Sequence, residues 1–479
     1  MTQDCKRQSK TLIALAIFGI ILVLFISCFI HPDTNSGQDA ALYLDTMHGF
    51  MEHGLALPYP REPLFPLFLV LIKTLGLTPE KHLPFIQNAM YIAALWFFLR
   101  SLLYEILSRA EALLMAVGIT AIPTFMILVN GSFYTESLTT VLILLMLGTF
   151  MRMWRVLAET GGVAKIRALG WLSAAFVLSF MTGLLKGSFA FIHYFFAALC
   201  VVWIVWKFRK RHVRGQMDSA ETRPRRLTLL LIFLWLGLVA SGSKIGTELW
   251  LSLQRKNGAV VEVYERGGVA FYGRTEYVKH FNFSTQSAPY LANALSEKFG
   301  QRIYGAEARK CSFQEENDVG YRKRMQSGLS DGALFKLGIQ NVFAAPIRQC
   351  FFCLFELSRF FFHHGTTGFA VLEFPIAGRL CHSLFMALAL RFFNLALYAM
   401  IPLCLFNAKM RGRTLHGLWL SLPESVRMGT TLYVLYAIAY LAAYGFATTV
   451  VRMAYPVAPF LIILDLQVLY TVKKTAVSC

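Results

Sequence analysis

Charge is sparse in this chain, and negative charge sparser still. Its 479 residues include 27 Asp and Glu against 46 Lys and Arg, for a formal net charge of +19. Charged residues make up 15% of the sequence and hydrophobic ones 56%, which excludes an ordinary soluble globular domain. The sequence lacks a P-loop, a dinucleotide-binding glycine fingerprint, a nucleophile elbow and an HExxH pair, so four common chemistries have no signature here. Nucleic-acid motifs are missing as well. Eight basic residues (Lys207, Arg209, Lys210, Arg211, Arg214, Arg223, Arg225 and Arg226) instead fall between two apolar runs, where the preference of cytoplasmic loops for Lys and Arg accounts for them. No internal repeat or low-complexity tract stands out.

Cysteine provides no framework either. Of nine, Cys28, Cys200, Cys350, Cys353, Cys381 and Cys404 lie in or beside apolar stretches, where they serve as small packing residues. Cys350 and Cys353 have C-x-x-C spacing, but without a second pair and in Phe-rich surroundings, which gives no support for a metal or redox site. The adjacent His363 and His364 would point in different directions on a helix. Cys311 is alone in the long polar stretch, so no disulfide forms there, and it is expected to be open to an impermeant thiol reagent.

What the chain has in abundance is long apolar runs. Residues 11–30 carry no charge and match the ~20 residues a bilayer-crossing helix needs. No small-residue cleavage site precedes the turn at His31-Pro32-Asp33, so this run reads as a retained span. Lys6, Arg7 and Lys10 place its start in the cytoplasm. Further spans are expected at 83–107, 112–129, a run ending at Arg152 and Arg155, 170–185, 188–206, 227–240, 381–406, 430–448 and 456–470. That makes ten, with every inner flank basic and both termini inside. Residues 64–77 are apolar, but 14 residues reach only about 21 Å. They and residues 349–362 read as interfacial helices; if either crosses, the count becomes eleven or twelve. The expected organisation is an N-terminal membrane module (1–242) with a first outer loop at 31–82, an outer-face domain (243–347) and a C-terminal membrane module (348–479). Within the outer domain, residues 260–264 alternate and are β-branched, and Gly267-Gly268 reads as a following turn.

The candidates for chemistry gather on the outer side. In SGQDAALYLDTMHG, Ser36 is a plausible N-cap, and Ala40, Leu44 and Met47 share one helical face with Asp39, Tyr43 and His48 nearer another. A surface-lying amphipathic helix explains the apolar face but not the acid. Glu136 sits in NGSFYTES between two apolar runs at the same expected face, where an acid can simply complement a helix N-terminus. Two converging carboxylates would suit deprotonating or orienting an acceptor, or holding a divalent cation such as Mg or Mn. Arg61, Lys186 and Arg452 fall at outer ends of spans. Snorkelling explains any one of them, but Lys186 in LLKGS and Arg452 in TTVVRMAYP run against the positive-inside bias. Charges set near hydrocarbon are costly and tend to be functional.

Five stretches in order, DAALY, REPLFPLFLVLI, SFYTESL, GAVVEVYERGGVAFYGR and VVRMAYPVAPFLIIL, together resemble the GT-C superfamily of integral membrane glycosyltransferases. The likeness is to its bacterial members related to protein O-mannosyltransferases and to the aminoarabinose transferase of lipid A, and it extends from Asp39 to Pro459. The resemblance implies a polyprenyl-phosphate or polyprenyl-diphosphate sugar donor and an essential first-loop acid, here Asp39. It implies that Glu136 is the second-loop acid, that Lys186, Arg452 and Arg61 contact the donor phosphate, and that Tyr43, Glu62, Tyr272 and Tyr455 contact substrate. A metal, if one is used, would fall to Asp39 and Glu136. One acid stands where some members have an adjacent pair, and Glu62 replaces the first proline of the usual Pro-Pro.

The expected protein is therefore an all-α polytopic membrane protein with about ten, and up to twelve, transmembrane helices, juxtamembrane helices and a small mixed outer-face domain. It would lie in a bacterial cytoplasmic membrane and move sugar from a polyprenyl-phosphate carrier to a glycan, lipid or protein acceptor, with no nucleic-acid partner. The alternative is a transporter or flippase of a lipid-linked or anionic solute. Transporters commonly show internal repeats and midplane helix breaks, whereas the polar candidates here gather at one face.

Overall fold

The structure, a computed structural model, describes residues 3–32, 38–56, 59, 61–122, 124–157, 162–213, 222–258, 267–295, 297–307, 311, 313–362, 370–374, 378–379, 415–447, 456–460, 462–464 and 467. The expected span at 381–406, the strand at 260–264 and the pair His363-His364 lie outside them.

In chain order the elements are α1 (Gln3–Ser27), β1 (Ile30–Pro32), α2 (Gln38–His53), α3 (Leu64–Thr74), α4 (Pro79–Leu102), α5 (Arg109–Thr120), a π-helical turn (Thr124–Val129), α6 (Glu136–Leu157), α7 (Gly162–Leu185), α8 (Ser188–Val213) and α9 (Thr222–Lys256). There follow α10 (Gly267–His280), α11 (Phe283–Leu295), α12 (Glu297–Tyr304), α13 (Phe313–Ser327), α14 (Asp331–Ala344), α15 (Pro346–Phe362), β2 (Ala370–Phe374), β3 (Gly378–Arg379), α16 (Leu415–Ser421) and α17 (Glu424–Ala447). Among the described residues, seven helices are long and apolar enough to cross a membrane: α1, α4, α6, α7, α8, α9 and α17. This is an all-α membrane protein.

The expected span at 112–129 is not one helix. A capping box at Ser108 and Glu111 starts α5, which ends at Thr120 before the π-helical turn. The sequence sets Pro123 between the two, and proline has no N–H to continue a helical ladder. The 11-residue α3 is a short apolar helix, as residues 64–77 suggested. Helix α9 runs 35 residues, about 52 Å at the usual rise, so residues 240 and 243 lie in mid-helix.

Helices α7 and α9 meet through glycines. A Cβ on Gly183 would stand 2.1 Å from Ser243 O, one on Gly242 2.8 Å from Phe176 O, and one on Gly246 2.4 Å from Phe180 O. Gly242 and Gly246 form a GxxxG pair, which lets helix backbones touch in a membrane. The Thr247 hydroxyl adds a hydrogen bond to Gly183 O at 3.3 Å. Buried between them and α4, α6, α8 and α17 is the main apolar core, including Phe98, Phe150, Phe196, Trp235 and Tyr436.

At one end of the bundle, two arginines from α6 and one from α4 itself close the end of α4. Arg152 Nε donates to Ser101 Oγ at 2.9 Å, Arg155 Nη2 to Arg100 O at 3.1 Å, and Arg100 Nη1 to Leu107 O at 3.0 Å. The carbonyls a helix C-terminus leaves open are thus satisfied by cations that its dipole favours. The other end carries α2 and α3. There β1 pairs antiparallel with β2, Ile30 opposite Leu372 and Pro32 opposite Ala370, and β2 with β3.

Gly267-Gly268 is not a turn but the start of α10. The Asp331 carboxylate accepts hydrogen bonds from Gly268 N (2.7 Å) and Val269 N (2.9 Å), and a Cβ on Gly268 would stand 1.9 Å from Asp331 O. The glycine therefore serves close approach between α10 and α14. Cys311 is likewise not open: it is 2% exposed, packed with Val278, Phe281, Tyr290 and Phe352, and burial pushes its thiol pKa up.

Two outcomes are expected. Gly183→Ala and Gly246→Ala should each lower thermal stability by about 1–3 kcal/mol through backbone overpacking. Gly237→Ala, on the same α9 but with open space where a Cβ would go, should leave the melting temperature unchanged or raise it. In residue-resolved alkylation near neutral pH, exposed Cys350 should label in the folded protein and Cys311 only on unfolding, because a raised thiol pKa means less thiolate. Equal rates would contradict the packing of Cys311.

Candidate functional site

The site is built where α2, α3, α6, α7 and α8 end together. Ala40, Tyr43 and Met47 of α2 pack with Phe65, Leu69 and Ile72 of α3 against Leu83, Phe133, Leu138, Leu142 and Leu185. Tyr43 therefore belongs to the buried face of α2 and not, as its helical spacing suggested, to the polar one. Its ring meets Phe65 edge-on at 5.0 Å, and the Arg61 guanidinium lies 5.2 Å from its centroid, a cation–π distance.

The segment that carries Arg61 and Glu62 is tied to the far part of α9. Tyr59 N donates to Gln254 Oε1 at 2.8 Å, and Asn257 Nδ2 donates to Leu55 O at 2.6 Å. The Tyr59 hydroxyl lies 2.9 Å from Gly49 O, and partial burial raises its pKa. From this tether Glu62 Oε1 comes 3.5 Å from Gly187 N, just past the end of α7.

Glu136 and Lys186 form an ion pair at 3.4 Å, with 4% and 12% of their side chains exposed. Glu136 is the first residue of α6, and Lys186 follows the last residue of α7, so each charge sits on the helix end whose dipole favours it. The pair is legible neither in the hydropathy nor in the charge pattern, since 50 residues separate the partners.

A neutral network holds the approach to Glu136. Asn88 Nδ2 donates to Ser27 Oγ (2.9 Å) and Met126 O (3.2 Å), Asn130 Nδ2 to Asn88 Oδ1 (2.9 Å), and Ser137 Oγ to Asn130 Oδ1 (2.6 Å). It joins α1, α4, the π-helical turn and α6, and all four side chains are buried. The sequence reading missed it; the signal that could have found it is an asparagine set inside an apolar run, as Asn88 is.

Tyr43, Arg61, Glu62, Glu136 and Lys186 are thus brought to one end of the bundle. Asp39 lies on the first turn of α2, one helical turn before Tyr43. Tyr272 belongs to a different cluster, with Val269 and Leu334 in the α10–α14 unit, and burial followed by the charge of Glu276 raises its pKa. Arg452 and Tyr455 lie outside the described residues. Among the described residues, no three His, Cys, Asp or Glu side chains stand together as metal ligands. Glu136, with an ammonium already against it, is a poor partner for a divalent cation, so the described donors do not fit one.

Compared with known proteins, the chain matches no protein-family model and no curated protein.

Removing one partner of the pair should cost about 3–5 kcal/mol, because the other charge stays buried. Lys186→Met and Glu136→Gln should each lower the unfolding midpoint. The double variant should recover most of the loss, and an additive loss would show that the two charges do not depend on each other.

Proposed function

We propose that this chain is a membrane-embedded glycosyltransferase that takes a sugar from a polyprenyl-phosphate carrier at the outer face of a bacterial cytoplasmic membrane. The observation that carries it is the convergence of Glu136, Lys186, Glu62, Arg61 and Tyr43 at one end of a helical bundle. All but Lys186 come from stretches that resemble the GT-C superfamily. Asp39, at the start of α2, occupies the position of the first-loop acid.

In this mechanism an acceptor nucleophile attacks the anomeric carbon while the bond from that carbon to the phosphate oxygen breaks. The carrier leaves as polyprenyl phosphate, and the acceptor's proton passes to the Asp39 carboxylate. Lys186 and Arg452 stabilise the charge that grows on the departing phosphate, an effect that a water-poor site strengthens. A phosphate arriving at Lys186 competes with Glu136 for the ammonium. Glu136 is then released to accept a hydrogen bond from the acceptor. Arg61, held over Tyr43, supplies further positive charge, and Glu62, Tyr272 and Tyr455 are assigned to substrate contact. The acceptor is a glycan, a lipid or a protein.

A transporter or flippase would also place paired charges inside a bundle. The two differ in detergent, where no second compartment exists: a transferase still turns over, and a transporter yields no product. Purified protein in detergent should move radiolabelled sugar from a polyprenyl-phosphate donor to acceptor. Asp39→Asn, nearly isosteric but without the basicity, should lose about 10²- to 10⁴-fold in rate with an unchanged melting temperature. Wild-type protein inert against a donor panel would refute the proposal. A variant that keeps more than about a tenth of the rate would move the base to Glu136.

A further inference from the structure

Helix α8 has two faces. Phe189, Ile192, Phe196, Cys200 and Ile204 are buried in the main core, while Phe191, Tyr194, Val201, Val202 and Val205 are exposed. On a helix of bilayer length and apolarity, such an exposed apolar stripe is the surface that meets lipid. The stripe does not stop at the helix end. The Phe191 ring meets Phe335 of α14 edge-on at 6.1 Å. Phe191 comes five residues after Lys186, so this contact lies at the site end of the bundle. Helices α10 and α15 also pack on the span α17.

From Phe335 an apolar strip continues along α14 and onto α15. Leu334, Gly338 and Asn341 make the buried face of α14, turned to α10, where Gly338 closes on Phe271 and Asn341 Nδ2 bonds Glu276 Oε2 at 2.8 Å. Phe335, Ile339 and Phe343 recur every four residues, each about 40° further round the helix, and wind away from that face. Phe343 is 79% exposed, Ile347 84% and Phe351 56%. The Phe351 ring meets Phe283 edge-on at 5.0 Å. With Ala345, Pro346, Ile347 and Arg348, those two line an open groove of about 480 Å³.

Water is a poor surrounding for such a strip, since soluble surfaces rarely set several large apolar side chains in a row. Two observations identify what covers it. The strip is continuous, through Phe335, with the lipid-facing stripe of α8. Its charges are also of one sign: from Gly332 to Phe355 the sequence holds Lys336 and Arg348 but no Asp or Glu. Both cations are exposed, and Lys336 stands seven residues before Phe343, on the same side of α14. An apolar face flanked by Lys and Arg is the pattern of a helix lying in a bilayer interface, with its cations at the phosphates.

We infer that the strip of Phe335, Ile339, Phe343, Ile347 and Phe351 docks on phospholipid, in the leaflet at the site end, with Lys336 and Arg348 at the headgroup phosphates. The interfacial segment expected at 349–362 thus begins one helix earlier, in α14. Helix α13 packs on a different face of α10, through Gly320 against Val269, and stays in water. The docking holds whatever reaction the bundle performs.

The test uses the full chain in nanodiscs of phosphatidylcholine and phosphatidylglycerol. A fluorophore carried on a p-acetylphenylalanine is placed in turn at the positions of Phe343, Ile347 and the exposed Met325 of α13. Exposed sites tolerate such changes, so each labelled protein should melt like wild type. Lipids bearing a nitroxide near the top of the acyl chain should quench the first two at least about threefold more than the third. Lys336→Glu should lower the quenching at Phe343 about twofold, and quenching as strong as before would overturn the headgroup contact. Quenching that is absent at Phe343 and Ile347, or equal at all three positions, overturns the docking. Energy transfer between two copies labelled at Phe343, without quenching by lipid, would put a second copy of the chain on the strip instead. Protection of both sites without quenching or transfer would put residues 381–406 there, and overturns the docking equally.

Discussion

The backbone contact between α7 and α9 is the constraint on which the site depends. In a bilayer, apolar side chains gain nothing by leaving lipid for protein, so helices associate where their backbones can come close. At Gly183, Gly242 and Gly246 the nearest atom across the contact is backbone, which cannot yield as a flexible side chain would. The height of Lys186 at the end of α7 follows from that contact. So does the line of α9 beyond it, where Gln254 holds Tyr59 and so places Arg61 and Glu62. Both halves of the charge cluster are fixed from the same three glycines.

The two ends of the bundle handle charge in opposite ways. At one, arginines spend their donors on carbonyls and a hydroxyl around the end of α4. These contacts close a helix and leave a cationic surface. At the other, an acid and a base face each other, each on the helix terminus that suits its sign. A buried pair of this kind adds little net stability, because desolvation offsets attraction.

The helical, membrane-crossing class was legible in the sequence because a soluble fold has little use for so many apolar runs of bilayer length. Glu136 and Lys186 were each conspicuous as charges at a predicted helix end. Their pairing was not, since it depends on how α6 and α7 pack. Tyr43 was assigned to the wrong face because a helical wheel gives relative directions and not which one the protein covers; α3 decides that. Gly267-Gly268 was misread because two glycines signal a turn and a close approach equally well, and the partner that distinguishes them, Asp331, lies far along the chain. The GxxxG pair in α9 was readable but silent without knowing its neighbour.

The pairing of β1 with β2 also orders events in time. Pro32 follows the first span, and Ala370, its partner, comes more than three hundred residues later. At about 5–20 residues per second of synthesis, the wait is on the order of twenty seconds to a minute. During that interval every span from α1 to α9 has already emerged, and β1 presents an unpaired edge beside the π-helical turn and α4. The strand can therefore register synthesis of the chain as far as residue 370: until β2 arrives, β1 lacks the partner it has in the folded protein. A nascent chain that stops short of residue 370 would hold α1 to α9 with β1 still unpaired and α17 not yet made, which separates the order of insertion from the order of pairing.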